Sequence, residues 1–251
     1  MRAPLLRGFW KLTWVETKIF AREPMGFIGT LAVPVVVFVA LGRAFGAGSA
    51  ATAPDFDLPF NPAILAAILI AISAVQSLVA IISIYREGGI LKRLRATPLS
   101  PATILGAHVV VKLGFTTVSL ALLLLAGKRL FPGVMEVNVA SFAAAVLLGT
   151  FSILSLGFVV ASLVPTARFA QPIGALVLYP MLAFSGVFVP VEVFPGWLQG
   201  LARFLPLTRA VSLLQGAWLG ESWLAHAGDV VALTAFAAVS SLVASRVFRW
   251  E

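Results

Sequence analysis

Cysteine is absent from the 251 residues, and histidine occurs only as His108 and His226. A chain without thiols has no disulfide, no thiolate metal ligand and no cysteine nucleophile. Charge is scarce as well: Asp, Glu, Lys and Arg make up 11% of the residues, against about 25% in soluble domains. Hydrophobic residues make up 60%, and the mean hydropathy is +1.03. This composition excludes a soluble domain and predicts an all-α, polytopic membrane protein.

Motifs of catalysis and nucleotide binding are also missing. The chain has no G-x-x-x-x-G-K-[ST] phosphate loop, no H-E-x-x-H, no G-x-S-x-G and no close pair of acids within an apolar run. We therefore expect no catalytic residue, no metal and no cofactor on this chain. Energy for uphill transport would have to come from another polypeptide.

The formal charge of +8 raises the question of nucleic-acid binding. The basic residues, however, lie at the ends of apolar segments, which is typical of membrane topology rather than of a DNA-binding face. With the N-terminus inside, 12 Lys and Arg fall on the inner connections and 5 on the outer ones. We predict that both termini are cytoplasmic and that no nucleic acid is bound.

Six apolar runs are long enough to cross a membrane, which takes about 20 residues per helix. They are too long and too uniformly apolar for barrel strands. The predicted spans of the single transmembrane domain (1–251) are residues 26–45, 62–84, 101–127, 139–164, 169–189 and 228–246. The first 25 residues carry too many charges for a cleavable signal peptide.

Residues 1–24 are too polar to span. Four aromatic residues alternate there with four charged ones: Phe9, Trp10, Trp14 and Phe20 with Lys11, Glu16, Lys18 and Arg22. We predict an amphipathic helix with an aromatic and a charged face, lying in the cytoplasmic interface. Its site residues are Trp10, Trp14, Lys18, Arg22 and Glu23. A simple topology anchor is the alternative.

His108 and Lys112 are the only ionisable groups deep in a predicted span, and they share one helical face at i and i+4. Charge inside a bilayer indicates function by default. Snorkelling or a polar contact inside the bundle is the main interpretation. A role in substrate or proton handling, or span boundaries drawn wrongly, are the others.

Residues 85–100 form a basic stretch on the cytoplasmic side. Ile90, Leu91 and Leu94 fall on one helical face, and Lys92, Arg93 and Arg95 fall largely on the other. Gly88 and Gly89 allow a turn out of the membrane, Thr97-Pro98 ends the helix, and Ser100-Pro101 starts the next span. This predicts a short amphipathic helix whose apolar face needs a partner.

Three stretches resemble one family, the bacterial ABC-type export permeases that include daunorubicin-resistance, nodulation-factor and O-antigen exporters. "REGGILKRLRATPLSPATILGAHVV" is similar to their cytoplasmic signature, and "FAREPMGFIGTLAVPVVVF" to their entry into the first span. "FSGVFVPVEVFPGWLQGLARFLPLTRAV" is similar to their outer segment. The resemblance covers nearly the whole chain.

The resemblance implies six spans, an interfacial helix, and re-entrant outer helices within residues 190–227. It also implies two permease chains (a homodimer or close paralogues) and two separate ATPase chains that hold ATP and Mg, in the bacterial inner membrane. The coupling helix to the ATPase would comprise Arg86, Glu87, Gly88, Ile90, Leu91, Lys92, Arg93, Leu94, Arg95, Thr97 and Pro98. An outer gate would comprise Ser185, Gly186, Pro190, Pro195, Gly196, Trp197 and Pro206, with an outer loop bearing an interfacial Trp belt as the alternative.

The substrate is the least determined feature. Phe outnumbers Tyr 19 to 2, and few polar groups lie within the spans, so an amphipathic drug, antibiotic or lipid is favoured. A pore for a sugar chain would offer more hydrogen-bonding surface. Polysaccharide export is the second hypothesis. A passive channel or scramblase-like protein, and a membrane scaffold or membrane-bound enzyme, are hypotheses of other classes.

Overall fold

The computed structural model describes residues 2–45, 62–89, 101–130, 138–164 and 166–247. All regular structure in these ranges is helical, which confirms the all-α prediction. The α-helices are α1 (Arg2–Arg22), α2 (Pro24–Phe45), α3 (Pro62–Ala71), α4 (Leu78–Glu87), α5 (Pro101–Leu130), α6 (Val139–Leu163), α7 (Ala167–Phe184), α8 (Gly196–Phe204), α9 (Pro206–Trp218) and α10 (Ala227–Val247). A π-helical turn (Ile72–Ser77) joins α3 to α4, and a 3-10 turn (Val191–Val193) precedes α8.

Helix starts follow local chemistry. The Asn138 side chain accepts a hydrogen bond of 3.1 Å from the Ser141 amide and caps α6. Proline is the first residue of α2, α5 and α9, among other helices. A backbone N–H at that position has no acceptor within the helix, so proline loses no hydrogen bond there. The predicted starts at Pro101 and Val139 are therefore found.

Helix α6 lies at the centre and packs against α3, α4, α5, α9 and α10. Helix α3 and the π-helical turn face it with small residues at helical spacing: Ala63, Ala66, Ala67, Ala71 and Ala74, all buried. Between apolar helices in lipid, close packing of small side chains replaces the hydrophobic driving force.

The closest approach in this core is at Gly157 on α6. A Cβ atom there would collide with the carbonyl oxygen of Ala74 in the π-helical turn and press on Leu78. Only glycine lets α6 lie this close to the turn, so Gly157 sets the packing distance at the centre of the bundle.

In the described part of the chain, three helical segments are long and apolar enough to cross a membrane: Gly106–Ala126, Val139–Leu163 and Ala227–Val247. A fourth candidate is the pair formed by α1 and α2, which meet at 87°. The predicted second span is divided by the π-helical turn, and the predicted fifth span is only 18 residues as α7, with Pro172 and Pro180 inside it. The number six thus stays a prediction.

Candidate functional site

A polar cavity of about 380 Å³ lies where α7, α9 and the start of α10 meet the turns between them. Its volume falls within the range of about 300–1,000 Å³ typical of small-molecule sites. Polar and charged residues provide most of the wall: Ser185, Glu192, Arg203, Thr208, Arg209, Ser212, Gln215, Glu221, His226 and Asp229. Gly186, Pro190, Val191, Val211, Gly216 and Leu219 complete it.

Asp229, in the first turn of α10, organises one wall of the polar cavity. Its carboxylate accepts from Arg209 Nη1 at 3.0 Å and from Ser212 Oγ at 2.8 Å. Arg209 also donates through Nε to the Arg203 carbonyl at 2.8 Å. The side chain of Asp229 is 9% exposed, so this ion pair is partly desolvated and joins α9 to α10.

His226 bridges two carboxylates beside that wall. Its Nε2 lies 2.7 Å from Glu221 Oε2, and its Nδ1 lies 3.2 Å from Asp229 Oδ2. The ring rests on Gly216 of α9, where a Cβ would overlap the imidazole. Gly216 is therefore required for this position of the ring.

Protonation of His226 is favoured by this geometry. Burial lowers the pKa of the imidazole, but hydrogen bonds and charge attraction from Glu221 and Asp229 outweigh it, so the pKa is raised above its ordinary value. Two carboxylate partners require two N–H donors, which only the imidazolium has. The contacts of His226 with Glu221 and Asp229 therefore depend on pH.

The polar cavity also contains a hydroxyl without a protein partner. Thr208 is 8% exposed, lines the cavity, and its Oγ1 makes no hydrogen bond within the described residues. Ser185, also buried in the wall, donates its hydroxyl to the Leu182 carbonyl oxygen at 2.9 Å. A ligand in the cavity could satisfy Thr208.

The residues predicted for an outer gate lie in three different places. Ser185, Gly186 and Pro190 line the polar cavity. Pro206 is buried at the start of α9. Pro195, Gly196 and Trp197 open α8 instead and are exposed to the surroundings.

Sequence reasoning missed the charged residues of this site. The sequence alone suggested no role for Arg209, Ser212, Glu221 and Asp229, and it showed His226 only as an available imidazole. A usable signal was present: an arginine within an apolar helix, and a His226–Asp229 pair at i and i+3 opening a span. Buried charges of this kind need partners.

A second polar group, here called the α1 cluster, consists of Glu16, Tyr85, His108 and Lys112. Tyr85 donates its hydroxyl to the Glu16 carboxylate at 3.0 Å, and His108 Nδ1 lies 3.7 Å from it. Lys112 Nζ lies 4.5 Å from the centre of the Phe20 ring, a cation–π distance. His108 and Lys112 thus make polar contacts inside the bundle, under α1.

The predicted faces of α1 need correction. The prediction of one aromatic face and one charged face is wrong, because Glu16 and Phe20 are both buried while Trp10 and Trp14 are exposed. Lys18 Nζ lies 5.0 Å from the Trp14 ring, and Arg22 and Glu23 are exposed. The buried residues of α1 are Thr13, Glu16 and Phe20, with half-buried Phe9 beside them, because contact with α5 decides burial rather than residue class.

Only the start of the predicted coupling segment lies within the described residues. Arg86 and Glu87 end α4, followed by Gly88 and Gly89, whose φ is 67°. Ile90, Leu91, Lys92, Arg93, Leu94, Arg95, Thr97 and Pro98 lie outside them. Their role stays a prediction.

Metal binding has no support in the described ranges, where no three His, Asp or Glu side chains are grouped to hold an ion.

Comparison with known proteins identifies the family. The family model described as ABC-2 type transporter matches residues 7–219. The chain belongs to this family. The match runs from α1 through α9 and includes most residues of the polar cavity. ABC-2 permeases are membrane components of transporters, which agrees with the apolar helices found here.

Individual relatives are similar over different lengths. Daunorubicin resistance ABC transporter permease protein DrrB1 of Streptomyces coeruleorubidus is 25% identical over 247 residues, which cover 94% of this chain and 84% of the relative. Nodulation protein J of Rhizobium meliloti (strain 1021) is 32% identical over 96 residues, 38% of this chain and 36% of the relative. Nodulation protein J of Rhizobium leguminosarum bv. viciae is 39% identical over 67 residues, 27% of this chain and 26% of the relative. These two alignments span about a third and a quarter of the nodulation proteins.

Proposed function

We propose that this chain is the membrane-spanning permease subunit of an ATP-driven exporter for an amphipathic drug, antibiotic or lipid-like molecule. The observation that carries the proposal is the polar cavity, because it has the volume of a ligand site and lies beside the segment predicted as an exit gate. Membership of the ABC-2 type transporter family supports it.

In the proposed assembly, α2, the α3–π–α4 segment, α5, α6, α7 and α10 are the six spans. Helix α1 lies in the cytoplasmic interface, and α8 and α9 re-enter from the outside. Both termini are cytoplasmic, in a bacterial inner membrane. A second permease copy and two ATPase subunits complete the complex, and ATP and Mg are held by the ATPases.

The lining of the polar cavity supports an amphipathic substrate over a polysaccharide. Among the described residues, the wall combines charged and hydroxyl groups with Val191, Val211 and Leu219, and none of them is aromatic. A sugar-chain path would be expected to offer aromatic surfaces together with hydroxyls. Polysaccharide export therefore stays the second hypothesis.

The test begins with the intact mass of the complex purified gently from its native membrane. Two permeases with two ATPase chains would support the exporter. A permease with no nucleotide-binding partner under several mild conditions would overturn the proposal and favour a passive channel or a scaffold.

Leu94→Asp sharpens this test, because Leu94 is predicted on the apolar face that meets the ATPase. We expect the variant to keep its folded yield while substrate-stimulated ATP hydrolysis and transport lose their coupling. Lys92→Arg, which keeps the charge opposite that face, is the matched control. Unchanged transport in Leu94→Asp would contradict the coupling assignment.

A further inference from the structure

The polar cavity changes charge with a single proton. Three carboxylates (Glu192, Glu221 and Asp229) face two guanidinium groups (Arg203 and Arg209) around it. The net charge of this wall is therefore −1 when His226 is neutral and zero when His226 is protonated. One positive group balances the negative charge of this wall, and that group is either the imidazolium of His226 or a cation that takes its place.

The carboxylate that His226 releases when it loses its proton can be identified. Neutral imidazole has one N–H, so it can donate to only one of its two carboxylates, and its other nitrogen then faces a carboxylate with a lone pair. Asp229 stays in place because Arg209 and Ser212 also bind it. Glu221, whose side chain is 48% exposed and has His226 as its ion-pair partner in the described residues, is the one that leaves.

The guanidinium groups do not change in this step. Arg209 remains bound to Asp229 and to the Arg203 carbonyl. Arg203 lies 3.4 Å from Gln199 Oε1, far from the proton. The group that deprotonation frees in the cavity is thus a carboxylate, and the ligand that would be linked to the proton is a cation.

We propose that the polar cavity binds a positively charged organic nitrogen through Glu221 and Glu192, in competition with the proton on His226. The hydroxyl of Thr208, which has no hydrogen-bond partner in the described residues, rotates out of the wall and supplies a hydrogen bond to a polar group beside that nitrogen. The apolar part of the ligand lies against Val191, Val211 and Leu219. The raised pKa of His226 agrees with strong carboxylate contacts. That such a cation is the exported substrate rests on the proposed function, whereas the binding does not.

The experiment measures binding of radiolabelled choline by equilibrium dialysis to the permease alone, in an uncharged maltoside detergent. The neutral isostere 3,3-dimethylbutan-1-ol is the competitor that has shape without charge. Measurements at about pH 5.5 and about pH 8 bracket the ordinary histidine pKa of about 6.5. We expect choline to bind about tenfold tighter or more at the higher pH, because a single competing proton with a pKa at or above the ordinary value suppresses binding by about that factor at the lower pH, and the isostere not to compete.

Variants then assign the groups. Glu221→Gln should lose this gain at the higher pH, and His226→Gln should bind equally at both pH values. Thr208→Val, which leaves every charge in place, should weaken choline binding by about fivefold at both pH values, as the loss of one hydrogen bond predicts. Glu16→Gln, a carboxyl change in the α1 cluster, is the matched control and should bind like the unaltered chain.

Three results would overturn the proposal: competition by the neutral isostere equal to that of choline, tighter binding at the lower pH, or unaltered binding in folded Glu221→Gln. Should Glu221→Gln fail to fold, the pH comparison on the unaltered chain and Thr208→Val still decide. No ATPase is present, so failure here is distinct from the absence of an ATPase partner, which would overturn the exporter instead.

Discussion

The two polar groups of this bundle differ in how their charges are held. The polar cavity lies at the start of α10, and the α1 cluster lies near the end of α4. Around the cavity, Asp229 and His226 each have several partners, and one of those partners, Glu221, is 48% exposed. In the α1 cluster, Glu16, His108 and Lys112 are all buried. The partly exposed side chains around the cavity can exchange partners, whereas the buried side chains of the α1 cluster hold α1 against α5.

The largest effect that this comparison predicts follows from Asp229→Ala. The change removes the acceptor of Arg209, Ser212 and His226 at once and leaves a half-buried guanidinium without its counterion. We expect a loss of about 3 kcal/mol in the free energy of unfolding, measured as thermal unfolding in detergent. Glu192→Gln, on the exposed rim of the same cavity, is the control and should change stability little. A loss no larger in Asp229→Ala than in this control would contradict the role of Asp229.

Glu16→Ala should cost less, although Glu16 is as buried as Asp229. Among the residues that the structure describes, its hydrogen-bond donor is the Tyr85 hydroxyl, so the expected loss is about 1.5 kcal/mol, mostly from the hydroxyl left without an acceptor.

Glu16→Gln is the matched variant, because the amide oxygen still accepts from Tyr85. It should remain within about 0.5 kcal/mol of the unaltered chain, as a replaced acceptor permits. If Glu16→Gln were as damaging as Glu16→Ala, the negative charge rather than the hydrogen bond would hold the cluster.

The α1 cluster shows what the sequence could and could not predict. Thr13, Glu16 and Phe20 are buried and fall with half-buried Phe9 on one stripe at 100° per residue, so the buried face of α1 was predictable from spacing alone. Grouping by residue class instead placed Glu16 on the wrong face. The helices themselves follow from the apolar runs, although a π-helical turn divides the segment predicted as the second span.

The polar cavity was less accessible to prediction. Arg209 and Asp229 are 20 residues apart on different helices, and their meeting depends on how α9 packs against α10. Hydropathy fixes which segments are apolar, but not which faces of two short helices touch. Only the His226–Asp229 spacing is local, and it predicts a contact without predicting a cavity.

Gly216→Ala tests whether the ring of His226 has an alternative position. The added methyl group would overlap the imidazole, so the ring must move away from Glu221 or Asp229. We expect a loss of about 1 kcal/mol, at the low end for overpacking, because a side chain and not the backbone gives way. Gly200→Ala on exposed α8, where a Cβ meets nothing within 4 Å, is the control and should not destabilise. Equal stability of both variants would show that the ring does not depend on Gly216.

The smallest effect is the pH dependence contributed by His226. Its pKa is raised in the folded chain, so its stabilising contribution is complete below the unfolded pKa of about 6.5 and is lost as pH rises through the folded value. Thermal unfolding should therefore show a decrease, below about 1 kcal/mol, as pH rises through that window. His226→Gln should remove this component and leave the rest of the pH profile unchanged. Two results would contradict this role of the imidazolium in holding Glu221 and Asp229 together. One is that the decrease in stability with rising pH persists in His226→Gln. The other is that stability rises with pH across this window only while His226 is present.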